Sequence, residues 1–201
     1  MKEYIRRPLS IVASTILYLL LLFHLTQDTN EKLIAESLIP QSSIPQNQVM
    51  SKASPGSPVR LKIPAISVNA VVQHVGVTSK GEMDVPSNTF DVGWFDPGPP
   101  PGEQGNAVIA GHFNGENGEE GVFKNLEKLK KGDEIAVTDD QGKTISFAVR
   151  EIRTYRPGYA EEVFSPNDNG THLNLITCDG VWDEAKKSYS KRLVVFADIS
   201  Q

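Results

Sequence analysis

The sequence predicts an all-β domain, a single barrel or sandwich with one or two short helices, behind an N-terminal transmembrane helix. Three observations carry that expectation. Short apolar, β-branched runs recur from Val59 onward, and several alternate with period two. Turn signals rich in Gly, Pro and Asp separate them. An apolar stretch at residues 9–25 carries no charge except what His24 can acquire.

The apolar stretch comes first. As a helix rising ~1.5 Å per residue, it spans roughly 25 Å, within the accepted length for a membrane crossing. Lys2, Glu3, Arg6 and Arg7 precede it with a net charge of +2, while Gln27 and Asp28 follow it. The positive-inside bias therefore places residues 1–8 in the cytoplasm and the rest outside the cell. A cleaved signal peptide has the same charge order, but the run ends Leu-Phe-His-Leu-Thr-Gln, without a small-residue cleavage site. A buried core helix would show a polar face, and this stretch has none of any width. Residues 9–25 are thus expected to be an uncleaved signal anchor in the cell membrane.

Residues 26–57 hold Pro40, Pro45 and Pro55 among Ser and Gln, with little hydrophobic periodicity. They read as a spacer between the anchor and a domain at 58–201. Within that domain the strand-like runs are Val59–Ile63, Val68–Val77, Asn106–Ala110, Glu134–Thr138, Thr144–Tyr155, Leu173–Thr177 and Leu193–Ile199. Ser79-Lys80-Gly81, the Pro- and Gly-rich stretch 96–102, Lys131-Gly132-Asp133 and Asp140-Gln141-Gly142 separate them. Val122, Phe123, Leu126 and Leu129 fall at helical spacing and predict a short helix over Val122–Lys130. Seven or eight strands of this kind suit one closed or sandwiched β-domain.

The net charge of −5 and the lack of a long basic run argue against a nucleic-acid partner. A single cysteine excludes an intramolecular disulfide.

That cysteine, Cys178, ends the run Leu173–Thr177 and precedes Asp179-Gly180, which reads as a turn. A thiol at a strand tip can face a cleft and act as a nucleophile if its thiolate is stabilised. Most free cysteines are instead small buried hydrophobes. His112 repeats the pattern, following Asn106–Gly111 at the end of another apolar run. A loop histidine is the commoner explanation, but a thiol nucleophile requires an acid–base partner. Arg192 opens the run Leu193–Ile199; there it is either a solvated surface residue or, turned to the same cleft, a stabiliser of thiolate and oxyanion. Lys191 must face the other way, because side chains alternate along a strand.

In these residues the chain resembles the sortase family over residues 59–200, about 70% of its length. The family's cysteine motif, roughly Thr-Leu-x-Thr-Cys, is matched by Asn174-Leu175-Ile176-Thr177-Cys178, with Asn in place of the first Thr. Its histidine follows an apolar strand ending Ala-Gly-His, here Ala110-Gly111-His112. Its arginine begins the last strand, here Arg192-Leu193-Val194-Val195, and the order His, Cys, Arg is kept. Val59–Pro64 is also similar to the family's first strand.

The resemblance implies a closed eight-stranded β-barrel and a transpeptidation. In that reaction a Leu-Pro-x-Thr-Gly-like C-terminal sorting signal is cut through a thioester on Cys178. An amine of a cell-wall precursor or pilin then takes the acyl group, attaching surface proteins. By the same resemblance, His112 moves protons, Arg192 stabilises the oxyanion, and Thr177, Ala110, Tyr159, Phe164 and Trp182 contact substrate. Tyr159, Val163 and Phe164 lie in the loop 156–170, and packing of that loop on itself accounts for them equally well. Trp182, in the expected loop 179–191, is either a groove wall or a lid on the core.

Calcium in some sortases makes the acidic residues Asp96, Glu103, Glu116, Glu119, Glu120, Glu161 and Glu162 worth weighing. A hard cation needs about six converging oxygens, so a solvated acidic surface is the expectation, with no metal and no cofactor. The rival readings are a non-catalytic membrane-anchored β-barrel that binds a partner and a hydrolytic cysteine peptidase. At a free-thiol pKa of ~8.5, only a few per cent of Cys178 would be thiolate at pH 7.

Overall fold

Eight strands close into a barrel in the order β1-β2-β3-β4-β7-β8-β6-β5. The computed structural model describes residues 54–115, 117–158 and 161–200. The apolar run 9–25, nearly all of the spacer, Glu116 and Tyr159 lie outside the described residues. The strands are β1 (Pro58–Ile63), β2 (Val68–Val75), β3 (Val92–Phe95), β4 (Gly105–Gly111), β5 (Glu134–Asp139), β6 (Thr144–Tyr155), β7 (Thr171–Asp183) and β8 (Ser188–Ile199). A single helical turn, α1, spans Glu161–Phe164. Two pairings are parallel, β2 with β3 and β4 with β7; the other strand pairs are antiparallel.

Period-two alternation points one set of side chains into the barrel. Leu61, Ile63, Ile109, Ile135, Phe147, Leu173, Leu175 and Val195 are fully buried there, together with Phe123 and Leu126 from the β4–β5 connection. Removing such surface from water stabilises the fold by about 25 cal/mol per Å². The expected helix over Val122–Lys130 is instead a series of turns with a short 3-10 segment, Leu126–Lys128. Its apolar residues still reach the core, so the spacing reported burial rather than α-helix.

β4 is buried at all seven positions. Its outer face lies under a second apolar layer of Val108, Val163, Val194 and Phe196, which explains a continuous apolar run rather than alternation. Val163 comes from α1, a helix too short to persist alone. Asn106 Nδ2 donates to the carbonyls of Glu162 and Val163, and Asn174 Nδ2 donates to Val163 at 2.7 Å. Outside, Tyr155 donates to Glu162, which also pairs with Arg153.

The largest departure from the sequence reading is at β7 and β8. Asp179-Gly180 is not a turn: β7 runs on to Asp183, and β8 begins at Ser188. The register slips between Asp179 and Trp182, where Gly180 takes φ +83°. A bulge there needs the freedom of glycine. The hairpin thus extends past Cys178 and Arg192, which sit within their strands rather than at strand tips, and residues 179–191 are mostly strand.

Candidate active site

Two of the candidate residues lie on the adjacent strands β7 and β8, and the third lies just past the end of β4, which neighbours β7. In the parallel β4–β7 register, Ala110 faces Ile176. Two residues further on, His112 comes level with Cys178. In the antiparallel β7–β8 register, Cys178 is paired directly with Arg192. Directly opposed residues project to the same face of a sheet. Leu173, Leu175 and Thr177 point into the barrel, so Asn174, Ile176 and Cys178 face out. Lys191 is paired with Asp179 and takes the face opposite Arg192, as alternation required.

The backbone under His112 is tightly packed. Buried Thr177 donates Oγ1 to the carbonyl of Gly111 at 2.8 Å, locking β7 to the end of β4. A Cβ on Gly111 would sit 2.5 Å from the Phe123 ring, and one on Gly121 would sit 2.2 Å from the His112 carbonyl oxygen. That carbonyl accepts from the Phe123 N–H at 2.9 Å. The His112 ring is fixed by Nε2, 3.0 Å from the carbonyl oxygen of Pro86. A carbonyl only accepts, so Nε2 carries the proton and Nδ1 is left as the basic nitrogen of the neutral ring. Pro86 is held in turn by its neighbour Ser87, whose N–H and hydroxyl both bond Gln73 Oε1, at 3.0 and 3.1 Å.

Arg192 lies along the hairpin. Its Nη1 donates to the carbonyls of Tyr189 and Lys191 at 3.1 and 2.9 Å, and Nη2 donates to Ser188 Oγ at 3.3 Å. Burial pushes the Cys178 thiol above its ordinary pKa, and the positive charge of Arg192 opposes that shift.

All three residues line one groove of 580 Å³. Ala110 and Ile176 belong to its floor on the outer face of β4 and β7. Val77, Met83 and Val85 line it from the β2–β3 connection, and Phe164 and Arg156–Gly158 from the β6–β7 connection. Of the residues expected to contact substrate, Ala110, Phe164 and Thr177 line the groove. Trp182 is not among the groove-lining residues; it packs edge-on against Tyr189, ring centroids 5.1 Å apart. Of the acidic residues, Glu119 bonds Thr89 and the Asn117 N–H, and Glu162 bonds Tyr155 and Arg153.

The sequence reading missed the β2–β3 connection as a groove wall, and with it the Pro86 carbonyl. A signal was present: Val75, Val77, Met83 and Val85 keep their alternation on either side of Ser79-Lys80-Gly81, and a bridge pairs Val77 with Met83.

A partly buried thiol, an imidazole with one nitrogen committed to a carbonyl, and a guanidinium on adjoining strands can together perform nucleophilic acyl transfer. The fold and site define a barrel of the cysteine acyl-transferase kind. The family model for the sortase domain matches residues 61–200. The chain belongs to the sortase family, whose members are cysteine transpeptidases.

Solved structures agree. Sortase C-1 from Actinomyces oris is 26% identical, with a TM-score of 0.57 over 71% of this chain and 73% of that one. Sortase A from Corynebacterium diphtheriae is 26% identical, with a TM-score of 0.56 over 75% of this chain and 63% of that one. The sortase D5 transpeptidase of Clostridium perfringens is 26% identical, with a TM-score of 0.54 over 73% and 79%. No curated protein matches the chain in sequence.

Proposed function

We propose that this sortase cuts a Leu-Pro-x-Thr-Gly-like sorting signal at the C-terminus of surface proteins and joins the acyl fragment to an amine of cell wall or pilin. The observation that carries the reading is the convergence of His112, just past β4, with the registered pair Cys178 and Arg192 on one groove with a largely apolar floor. The Cys178 thiolate attacks the Thr carbonyl carbon. Arg192 donates to the oxyanion that forms. The imidazolium of His112 protonates the Gly nitrogen as the C–N bond breaks, leaving a thioester. Neutral His112 then takes a proton from the incoming amine, which attacks the thioester and releases the thiolate. Ala110, Phe164 and Ile176 supply apolar contact for the signal's Leu and Pro.

The apolar run 9–25 and the positive charge before it support a cell-membrane anchor with the barrel outside. Protease treatment of intact cells tests this: a barrel that survives until the cells are lysed would overturn it.

The enzymatic test uses the full chain in detergent micelles, a Leu-Pro-x-Thr-Gly peptide library and triglycine, read by mass spectrometry with Cys178→Ala as control. Transfer product that vanishes in the variant supports the proposal. Cleavage with no transfer to any amine would favour a hydrolase. An alkylation-resistant thiol and intact peptides would favour a binding module.

A further inference from the structure

Beyond the three groove residues, one side chain touches the surroundings of two of them from behind. Tyr189 lies on β8 three positions before Arg192. Alternation along the strand therefore puts its ring on the face opposite Arg192, and it does not line the groove. Its hydroxyl donates to Asn114 Oδ1 at 2.8 Å, two residues after His112. Its ring meets Phe113, next to His112, edge-on at 5.7 Å, and Trp182 at 5.1 Å on the other side. Lys124 caps Phe113 at 3.9 Å from the ring centroid. The Tyr189 carbonyl accepts from Arg192 Nη1 at 3.1 Å.

We infer that Tyr189 is a positioning residue, which clamps the His112 loop to the β7–β8 hairpin and so sets His112 relative to Cys178 and Arg192. The Cys178–Arg192 pair is fixed by strand register; His112 lies just past the end of β4, and the Phe123 N–H and Pro86 carbonyl that hold it do not belong to the β7–β8 hairpin. The Thr177–Gly111 bond stops one residue short of it. The extended hairpin ties itself to the His112 loop through Tyr189, and Trp182 backs the ring. This accounts for a Trp that stands away from the groove. The inference rests on the acyl-transfer reading for its kinetic consequence, but not for its structural one.

The test is Tyr189→Phe and Asn114→Ala, alone and combined, in the full chain in detergent. Each single variant removes the same hydrogen bond and leaves the ring stack and the Arg192 contact in place. Expected are a fall in kcat on the order of 10-fold, in line with the sensitivity of catalysis to misplacement, an unchanged KM, and a double variant no worse than either single one. With ¹⁵N-histidine, the His112 ring resonances should move in both variants while those of His74 and His172 stay put. A raised KM at unchanged kcat would make Tyr189 a binding residue and overturn the inference. So would stationary His112 resonances, or a kcat within twofold of the parent. Moved resonances in a protein that transfers nothing would keep the clamp and remove the transpeptidase reading.

Discussion

Cys178 and Arg192 face each other directly across the β7–β8 hairpin, in the stretch of register that precedes the Gly180 bulge. The relationship is fixed by backbone hydrogen bonding rather than by side-chain packing, so it survives most surface substitutions. It also lets Arg192 counter the effect of burial on the thiol.

Arg192→Met should therefore raise the thiol pKa further. The sign is simple: burial raises it, Arg192 lowers it, and the variant keeps only the first effect. The pH midpoint for iodoacetamide alkylation should lie above ~8.5 in the parent and higher still in the variant. Stability conferred by the protonated thiol is present below ~8.5 and declines as pH rises through the folded value. Transfer should fall on the order of 10²- to 10³-fold, the loss expected for the oxyanion donor proposed above. A midpoint that drops in the variant would sink this account of the pair.

Gly111→Ala tests the packing beneath His112. The added methyl would meet the fully buried Phe123 ring at 2.5 Å. That ring is closed in by the core and cannot swing away, so overpacking of about 1–3 kcal/mol is expected. Calorimetry should show Tm lowered by several degrees, and kcat should fall with it as His112 shifts. A native Tm with full activity would mean that the ring yields freely.

Gln73 is far from the thiol in sequence, yet it anchors the segment that presents Pro86 to His112. Its Oε1 accepts both Ser87 donors, and its Nε2 donates to Asp91 at 2.8 Å. Gln73→Leu removes all three bonds. Transfer should drop about 10-fold at little cost in Tm, since these groups are largely exposed and such bonds contribute only ~1 kcal/mol each. Gln73→Glu keeps the acceptor for Ser87 but repels Asp91, and should fall between parent and Gln73→Leu. Equal activity in all three proteins would remove the Pro86 carbonyl from the account.

The strands legible in sequence were those whose alternation or length left no other choice. Thr144–Tyr155 was read with the bounds it has, and Val59–Ile63 and Glu134–Thr138 within one residue. β3 was invisible: it has four residues, includes Gly93, and is buried at three consecutive positions, so period two never appears. Asp179-Gly180 misled because the same dipeptide serves a turn and a bulge, and only the partner strand decides between them. The two parallel pairings are crossovers that no local signal encodes. His112, Cys178 and Arg192 are singled out by the motifs around them, and the structure brings them to one groove. The contacts of Pro86, Gln73 and Tyr189 escape a sequence reading because a carbonyl, a loop anchor and a back-face ring carry no motif.

Phe164→Ala should separate binding from chemistry. Phe164 is 37% exposed, stacks edge-on against Phe95 at 5.3 Å, and lines the groove together with Val77, Met83 and Val85 of the β2–β3 connection. An apolar signal residue packed on it would hide the ring from water in the complex but not in the free enzyme. Phe164→Ala should then raise KM for a Leu-Pro-x-Thr-Gly peptide by roughly 5- to 30-fold, the equivalent of about 1–2 kcal/mol of lost burial. The kcat should hardly move, because the contact is the same in ground and transition states. Tm should also stay near the parent value, since the ring is already partly in water and Val163, not Phe164, anchors α1 in the outer apolar layer. A fall in kcat at constant KM would place the ring against the reacting bond instead and shift the signal's apolar subsite toward Val77, Met83 and Val85.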